Sequence, residues 1–186
     1  MAKLIYLMNT SLDGYVEDGN GSIGWAGPDE QVISYISELA SSVGTYLYGR
    51  RMYEALAYWE SAYLVHDHPP FLLDWAKQWQ AAEKIVYSTT LAGPQTARTR
   101  IERAFDPDAV RQLKASAKRD ITVNGPGLAA HALRAGLVDE FQMIVWPVVV
   151  GSGKRFFPDG VRSDLELIEE RAFRNGVVGL RYAVRV

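Results

Sequence analysis

Two glycine turns, each at the end of a short apolar run, are the features whose residue types and spacing say most about chemistry. One lies in residues 46–52 (YLYGRRM) and the other in residues 121–130 (ITVNGPGLAA). In both, a strand-like run ends in glycine and leads into a helix-like pattern. Glycine at that point lets backbone N–H groups approach a phosphate, and the following helix N-terminus favours its negative charge. The two turns predict a bound nucleotide with two anionic ends, although neither matches G-x-G-x-x-G or G-x-x-x-x-G-K-[ST].

Acidic residues in the first part of the chain are candidates for proton transfer. Asp13, Asp29 and Glu30 are expected to lie near the predicted cleft, and a carboxyl group in a partly desolvated cleft can hold and deliver a proton. Each residue also has a structural interpretation. Asp13-Gly14 is a common turn pair, and acids after Pro28 suit the positive end of a helix. Both interpretations stay open at this point.

The histidines suggest no site by themselves. His66-Asp67-His68 is followed by two prolines and has no third ligand beside it, so we interpret it as an exposed loop and predict no metal site. His131 falls within a predicted helix and is interpreted as structural. No Ser-His-Asp arrangement has the strand-turn-helix context of an activated serine nucleophile.

Composition limits the classes of partner. The chain has 186 residues, of which 48% are hydrophobic and 23% charged, as expected for one globular domain. A formal net charge of -2 without a basic run argues against nucleic acid. The absence of cysteine and of a signal-peptide pattern at the N-terminus predicts a cytoplasmic protein. The longest uncharged apolar stretch, residues 143–150, is too short to span a bilayer.

The elements that must position these residues follow from the apolar periodicity. Strands are predicted over 4–8, 45–48, 84–87, 97–104, 121–123 and 141–150, and helices after Pro28 and over 52–56, 71–82, 107–118 and 128–135. Two further strands, 165–173 and 177–186, meet at Asn175-Gly176, a strong hairpin signal. This alternation predicts an α/β three-layer sandwich with a mostly parallel central sheet and a C-terminal antiparallel hairpin, in one domain over residues 1–186.

Four segments, in this order, resemble the dihydrofolate reductase fold and, more closely, the reductase domain of riboflavin biosynthesis. They are residues 11–16 (SLDGYV), 48–54 (YGRRMYE), 85–90 (IVYSTT) and 123–153, which opens with VNGPG and closes with PVVVGSG. Together they extend over nearly the whole chain.

The chain departs from both groups of relatives at positions that bind substrate. Riboflavin reductases usually carry more basic and polar residues after the first loop, where this chain has residues 31–36 (QVISYI). Folate reductases carry an arginine before the third strand, where residues 75–83 (WAKQWQAAE) contain none. The resemblance therefore predicts the fold more firmly than the substrate.

The resemblance implies an NADPH-dependent oxidoreductase acting on a small pteridine- or pyrimidine-type heterocycle. The turn at Gly125–Gly127, with the amides of Leu128 and Ala129, would hold the pyrophosphate. Two arginines and the hydroxyls of Ser88–Thr90 would meet a 2′-phosphate, which favours NADPH over NADH. The predicted cofactor contacts are Val16, Gly49, Arg50, Arg51, Met52, Ser88, Thr89, Thr90, Asn124, Gly125, Pro126, Gly127, Leu128 and Ala129.

The same resemblance predicts substrate contacts at Asn9, Trp25 and Tyr53, and a catalytic carboxylate among Asp13, Asp29 and Glu30. Asp29 is the first choice, because a tryptophan precedes the substrate-binding carboxylate in folate reductases as Trp25 precedes it here.

Two further expectations concern activity and assembly. A non-catalytic nucleotide-binding protein of the same fold is the alternative to a reductase. A homodimer is predicted, because residues 141–150, with Trp146, and the terminal hairpin are rich in apolar side chains and such relatives commonly pair.

Overall fold

The protein alternates strands and helices along most of its length. The computed structural model describes residues 1–62 and 68–185. The strands are β1 Leu4–Ser11, β2 Tyr15–Asp18, β3 Val43–Gly49, β4 Glu83–Tyr87, β5 Thr99–Glu102, β6 Asp120–Asn124, β7 Glu140–Trp146, β8 Gly153–Arg155, β9 Leu165–Ala172 and β10 Val178–Val184. The helices are α1 Glu30–Ala40, α2 Arg50–Leu56, α3 Pro70–Ala81, α4 Pro107–Ser116 and α5 Pro126–Arg134, with a 3-10 turn at Ala57–Glu60.

The central sheet has eight strands in the order β5-β4-β3-β6-β1-β7-β10-β9. The pairs from β5 to β7 are parallel, and β10 pairs antiparallel with both β7 and β9. The Asn175-Gly176 turn joins β9 to β10, and Gly176 has a φ of 85°, which glycine adopts without steric strain. The predicted mostly parallel sheet with a C-terminal antiparallel hairpin is confirmed.

Helices cover both faces of the sheet, and the alternation of side chains along β1 shows how. Leu4 and Tyr6 lie in one core cluster with residues of α4 and α5, including Val110 and Leu128. Leu7 points to the opposite face and packs in a cluster with α1. A third cluster buries the aromatic side chains of β3 against α2 and α3. The predicted three-layer sandwich therefore has α4 and α5 on one side and α1, α2 and α3 on the other.

Helix ends follow the capping signals of the sequence. The carboxylate of Asp106 accepts a hydrogen bond from the amide of Asp108, and Pro107 takes the first helical position of α4. At the C-terminus of α5, Gly136 has a φ of 63°. Its amide bonds to the carbonyl of Leu133 and that of Leu137 to the carbonyl of Ala132, each at 3.0 Å, which is the Schellman arrangement.

The structure corrects several predicted boundaries. Residues 15–18 lie in a segment predicted to be loop but form β2, which pairs antiparallel with β8, a strand also missed. The strand predicted over 97–104 is confined to Thr99–Glu102, and the one predicted over 141–150 ends at Trp146, before Pro147. Helix α5 begins at Pro126 rather than 128, because proline suits the first helical position.

Candidate nucleotide and substrate cleft

The carboxyl edge of the sheet contains a switch point between β1, β6 and β3. The helix that follows β6 is α5, on one face of the sheet, whereas the helices that follow β1 and β3 are α1 and α2, on the other. Ligands of open parallel sheets bind in crevices of this kind, outside the carboxyl ends of the strands. Both glycine turns of the sequence lie at this edge, Gly49 after β3 and Gly125 after β6.

The crevice opens where β1 and β6 separate. Their parallel pairing ends at Tyr6 and Val123, although β1 stays paired with β7 as far as Ser11. Beyond that point the buried side chain of Asn124 replaces the ladder, donating from Nδ2 to the carbonyl of Leu7 at 2.8 Å. Asn124 therefore links the end of β6 to β1 at the base of the crevice, and the residue is only 4% exposed.

A pocket of about 450 Å³ lies beside this crevice. It brings together the carboxyl ends of β3 and β4, the segment after β5 and the first turns of α5. Arg50, Arg103 and His131 line it, and no acidic side chain is among its described lining residues. We call it the basic pocket, and it is lined by Gly49, Arg50, Tyr87, Ser88, Thr89, Thr90, Arg103, Ala104, Phe105, Gly127, Leu128 and His131.

Arg50 is held at the rim of the basic pocket by two side chains. Its Nε donates to Glu54 at 2.8 Å and its Nη1 donates to Oγ1 of Thr90, also at 2.8 Å. The guanidinium is therefore oriented while its side chain remains 48% exposed. Arg51, predicted to act with Arg50, is exposed on α2 and does not line the pocket. Of the two arginines, only Arg50 can therefore contact a ligand in the pocket.

The polar loop after β4 is ordered from within. Ser88 is buried, and its Oγ accepts hydrogen bonds from the amides of Thr90 and Leu91. Arg103 donates to the carbonyls of Ser88 and Leu91 at 2.9 and 2.8 Å. These bonds leave Thr89 and Thr90 exposed at the pocket.

The start of α5 supplies the backbone donors. Pro126 has no N–H group, and the amide of Ala129 donates to the carbonyl of Gly125 at 3.0 Å. The fully buried Ala129, predicted to bind the cofactor through its amide, is therefore already bonded within the helix, which corrects that prediction. The first-turn amides of Gly127 and Leu128 are the ones that face outward from the helix end.

Glycine leaves room for a ligand at both turns. A Cβ atom added to Gly49 or to Gly127 would meet no other atom within 4 Å, and both residues line the basic pocket. Neither position requires glycine for its backbone conformation, because neither residue has a positive φ. Open space in front of a helix N-terminus is the arrangement that a phosphate group requires.

An aromatic layer was missed in the sequence. The rings of Tyr87 and Phe105 lie 5.5 Å apart, and Phe105 stacks on His131 with centroids 5.7 Å apart and an interplanar angle of 26°. His131, interpreted above as structural, is exposed and lines the pocket. These residues come from three separate segments, so no local motif marks them.

Three other predicted contacts are buried in the core. Val16 is 3% exposed and packs in the cluster with α5, and Met52 is half-buried against the aromatic cluster of α2 and α3. Tyr53, predicted to touch substrate, has no exposed surface. Its hydroxyl accepts from the amide of Gln95 at 2.8 Å and bonds Thr96, which corrects its role to anchoring that loop.

Of the predicted substrate residues, Asn9 lies at the other end of the crevice, where β1 and β7 finish. Asn9 Oδ1 accepts a hydrogen bond from Trp146 Nε1 at 2.9 Å. Helix α1 begins at this edge, because it runs back toward the start of β3 and its Val32 packs in one cluster with Ile144 and Trp146. We call the carboxyl ends of β1 and β7 with the start of α1 the β1–β7 end. It contains Asn9, Trp146, Asp29 and Glu30, and the loop that leads into α1 carries Trp25.

The acids of this region differ in how they are bonded. Asp29 caps α1 through Oδ1 alone, which accepts from the amides of Gln31 and Val32 at 3.0 and 3.1 Å. Glu30 is exposed in the first turn. The indole Nε1 of Trp25 is buried and meets no hydrogen-bond acceptor among the described residues, which is unusual for a native donor and suits a bound group.

Asp13 is occupied by the surrounding backbone. Its carboxylate accepts from the hydroxyl of Ser11 at 2.7 Å and from the amides of Val150 and Gly151 at 3.2 and 2.8 Å. The Ser11 hydroxyl and these amides lower the pKa of Asp13 below its ordinary value. A carboxylate kept charged in this way fastens the loop after β7 and is poorly suited to donate a proton.

Of the histidine-containing segment, the structure describes only His68, whose ring nitrogen bonds the hydroxyl of Tyr58. His66 and Asp67 lie outside the described residues. Within residues 1–62 and 68–185, no three metal-ligating side chains come together. No helix in the described part of the chain is long and apolar enough to cross a membrane.

Comparison with known proteins identifies the family of the chain. The family model of the RibD C-terminal domain matches residues 2–179. The chain belongs to the RibD C-terminal domain family. This confirms the resemblance to riboflavin reductase domains and the dihydrofolate reductase-like fold. The uncharacterized protein YyaP of Bacillus subtilis is 28% identical over 182 residues, which cover 97% of this chain and 94% of that protein.

Solved structures share the fold of this family member at low sequence identity. A pyrimidine reductase-like protein from Corynebacterium diphtheriae superposes with a TM-score of 0.71 at 14% identity, over 100% of this chain and 92% of that one. The Thermotoga maritima diaminohydroxyphosphoribosylaminopyrimidine deaminase/5-amino-6-(5-phosphoribosylamino)uracil reductase gives 0.68 at 12% identity. That match covers 99% of this chain and 57% of the Thermotoga chain.

Proposed function

We propose that this member of the RibD C-terminal domain family is an NADPH-dependent reductase of a small heterocyclic compound. The observation that carries the proposal is the basic pocket at the carboxyl edge of the sheet. Glycine at two strand ends, the N-terminus of α5, two arginines and His131 converge there. No acidic side chain is among the described lining residues, and the carboxylate of Glu54 bonds Arg50 at the rim. Family membership supports a reductase, since the Thermotoga relative is named as one.

The donors of the pocket suit the two anionic groups of NADPH. The outward amides of Gly127 and Leu128 would bind the pyrophosphate over the space that a Cβ at Gly127 would otherwise fill. Arg50, oriented by Glu54 and Thr90, would bind the 2′-phosphate through its guanidinium. When bound, the cofactor supplies a hydride to the substrate.

The β1–β7 end would orient the substrate and supply the proton. Reduction of a C=N bond places the hydride on carbon and a proton on nitrogen, and leaves the oxidised cofactor. Among the three candidate acids, Asp13 is fully engaged by the loop after β7. Asp29 uses only Oδ1 for its cap, and among the described residues Oδ2 has no hydrogen-bond partner, so it would be placed to bond a ring N–H group. Glu30 is the second candidate.

Arg50 provides the test of cofactor identity. Arg50→Ala should weaken NADPH by about 10- to 150-fold, because a hydrogen bond to a charged group contributes about 1.5–3 kcal/mol. NADH, which has no 2′-phosphate, should be affected little. Titration calorimetry with both cofactors measures the difference, and Arg51→Ala is the matched control because that residue lies outside the pocket. Equal weakening of NADPH and NADH by Arg50→Ala would refute the assignment.

Turnover separates the reductase from its alternative. Oxidation of NADPH, followed at 340 nm with a series of pyrimidines and pteridines, should depend on the heterocycle and fall when Asp29 is changed to Asn. A protein that binds NADPH tightly but oxidises it with none of these compounds would instead be a non-catalytic nucleotide-binding member of the fold.

A further inference from the structure

The two ends of the crevice carry opposite charge. The basic pocket contains Arg50, Arg103 and His131 and no acid among its described lining residues. By contrast, residues 4–49 contain no Lys, Arg or His but six acids. That stretch supplies β1, the loops after it and the start of α1, which together form most of the β1–β7 end.

The segment that follows β7 continues this pattern. Residues 141–153 contain no charged side chain, and they run from β7 through the loop held by Asp13 to the start of β8. The β1–β7 end therefore meets only acids and uncharged groups from the two strands that form it. Asp29, the N-cap of α1, and Glu30, in its first turn, supply the two carboxylates of this end.

Three basic residues lie on elements next to this end, and two of them contact other side chains. Lys154 forms an ion pair with Glu17 at 3.2 Å, and the guanidinium of Arg155 lies 5.2 Å from the centre of the Tyr15 ring. Both belong to β8. Arg174 is exposed on the β9–β10 turn, whose Gly176 lies against Pro147, the residue that follows β7.

The uncharged surface around this end is apolar. Leu12, Ile23 and Val149 are 67%, 59% and 68% exposed, respectively, and each lies on a loop at the carboxyl edge. Trp25 and Trp146 add aromatic rings. Such a surface suits a flat, uncharged ring system, while the two acids suit ring N–H or amino groups.

We propose that the substrate of this protein carries no phosphate group and is a neutral or cationic nitrogen heterocycle. The inference rests on the proposed reductase function and narrows its substrate class. A phosphate at the β1–β7 end would meet two carboxylates and no cation from β1, β7 or the loops that directly follow them, and like charges at short distance disfavour binding. In this respect the chain differs from the Thermotoga relative, whose name specifies a phosphoribosylamino compound.

The test compares one substrate in two states of phosphorylation. NADPH oxidation is measured with a 6-(ribosylamino)uracil and with its 5′-phosphate, at low and high salt. We expect kcat/KM to be at least tenfold higher for the unphosphorylated compound, and the difference to shrink as salt screens the carboxylates.

A gain-of-charge variant sharpens the comparison. Gln31→Arg adds a cation in the exposed first turn of α1 and should raise kcat/KM for the phosphorylated compound several-fold. Gln112→Arg makes the same change on α4, at the opposite face of the sheet, and should change neither value. A preference of the wild-type protein for the 5′-phosphate, with turnover intact, would overturn this inference alone. Absence of NADPH oxidation with every heterocycle would overturn the reductase proposal together with it.

Discussion

Gly127 lets the binding role of the α5 turn be tested against a purely structural role, because the two predict opposite effects on stability. The residue is helical, has an ordinary backbone conformation and faces open space. Replacing such a glycine with alanine stabilises a helix by roughly 0.5–1 kcal/mol. For a domain of this size that raises Tm by about 1–4 °C. A glycine required by the fold would instead lower it.

The effect on cofactor binding should have the opposite sign. Gly127→Val places branched carbons in the space where the pyrophosphate would approach the amides of Gly127 and Leu128. Each lost hydrogen bond to a charged phosphate is worth about 1.5–3 kcal/mol, so the Kd for NADPH should rise about 10- to 150-fold per bond. Calorimetric titration gives the affinity, and a thermal melt of the same sample shows that the variant is folded.

Gly136, at the other end of the same helix, is the matched control. Its φ of 63° is costly for any residue with a Cβ, by about 1–2 kcal/mol. Gly136→Ala should therefore lower Tm and leave cofactor affinity unchanged. The reasoning fails if a folded Gly127→Val protein binds NADPH as tightly as the wild type.

Four further outcomes can be measured on the same protein. Asp13→Asn should lower Tm in a thermal scan. Since the folded pKa of Asp13 is lowered, its stabilisation should be complete above the ordinary carboxyl range and lost as pH falls through the folded value. Burial raises the pKa of Glu140, but hydrogen bonds from Gln142 and Lys3 and the charge of Arg181 outweigh it and give a net decrease. The wild-type protein should therefore be more stable than Glu140→Gln at neutral pH. The free energies of unfolding of the two proteins should become equal at low pH, where Glu140 is protonated. Tyr53→Phe should cost about 1–3 kcal/mol in denaturant unfolding and leave NADPH affinity unaltered. Light scattering should give a dimer of the 20.7 kDa chain, and a purely monomeric mass at micromolar concentration would exclude it.

The structure changes the reason for expecting that dimer. Strand β7 lies between β1 and β10, so its apolar side chains belong to the interior, and Trp146 packs toward α1. One of the two edges of the sheet is β9, where Leu167 and Ile168 are 49% and 44% exposed. An edge strand with exposed apolar side chains is a surface that another chain can cover.

Local signals in the sequence predicted most of the elements. Apolar runs predicted the buried strands, and Asp106-Pro107 and Gly136 predicted helix ends, because caps act through the nearest few residues. The short strands β2 and β8 escaped prediction because each has few residues and depends on the other, far away in the chain. Their pairing has no periodicity that one segment alone could reveal.

For the candidate site as well, the sequence predicted the features that depend on consecutive residues and missed those that depend on distant ones. The glycine turns were found because a strand, a glycine and a helix are consecutive. Arg103, Phe105 and His131 were missed because they meet the pocket from segments separated in sequence. Tyr53 was misplaced because its partners, Gln95 and Thr96, lie more than forty residues away. Sequence spacing alone does not tell whether a tyrosine faces a cleft or the core.

The position of β1 at the middle of the sheet has a consequence for how the chain emerges from the ribosome. Its neighbours on the two sides are β6, which begins at Asp120, and β7, which begins at Glu140. At translation rates of about 5–20 residues per second, β1 waits roughly 5 to 20 seconds before its first partner is made. During that time the apolar run Leu4–Met8 has neither of its neighbouring strands to pair with. Chaperones should therefore be needed to keep nascent chains from aggregating until β6 and β7 have been synthesised.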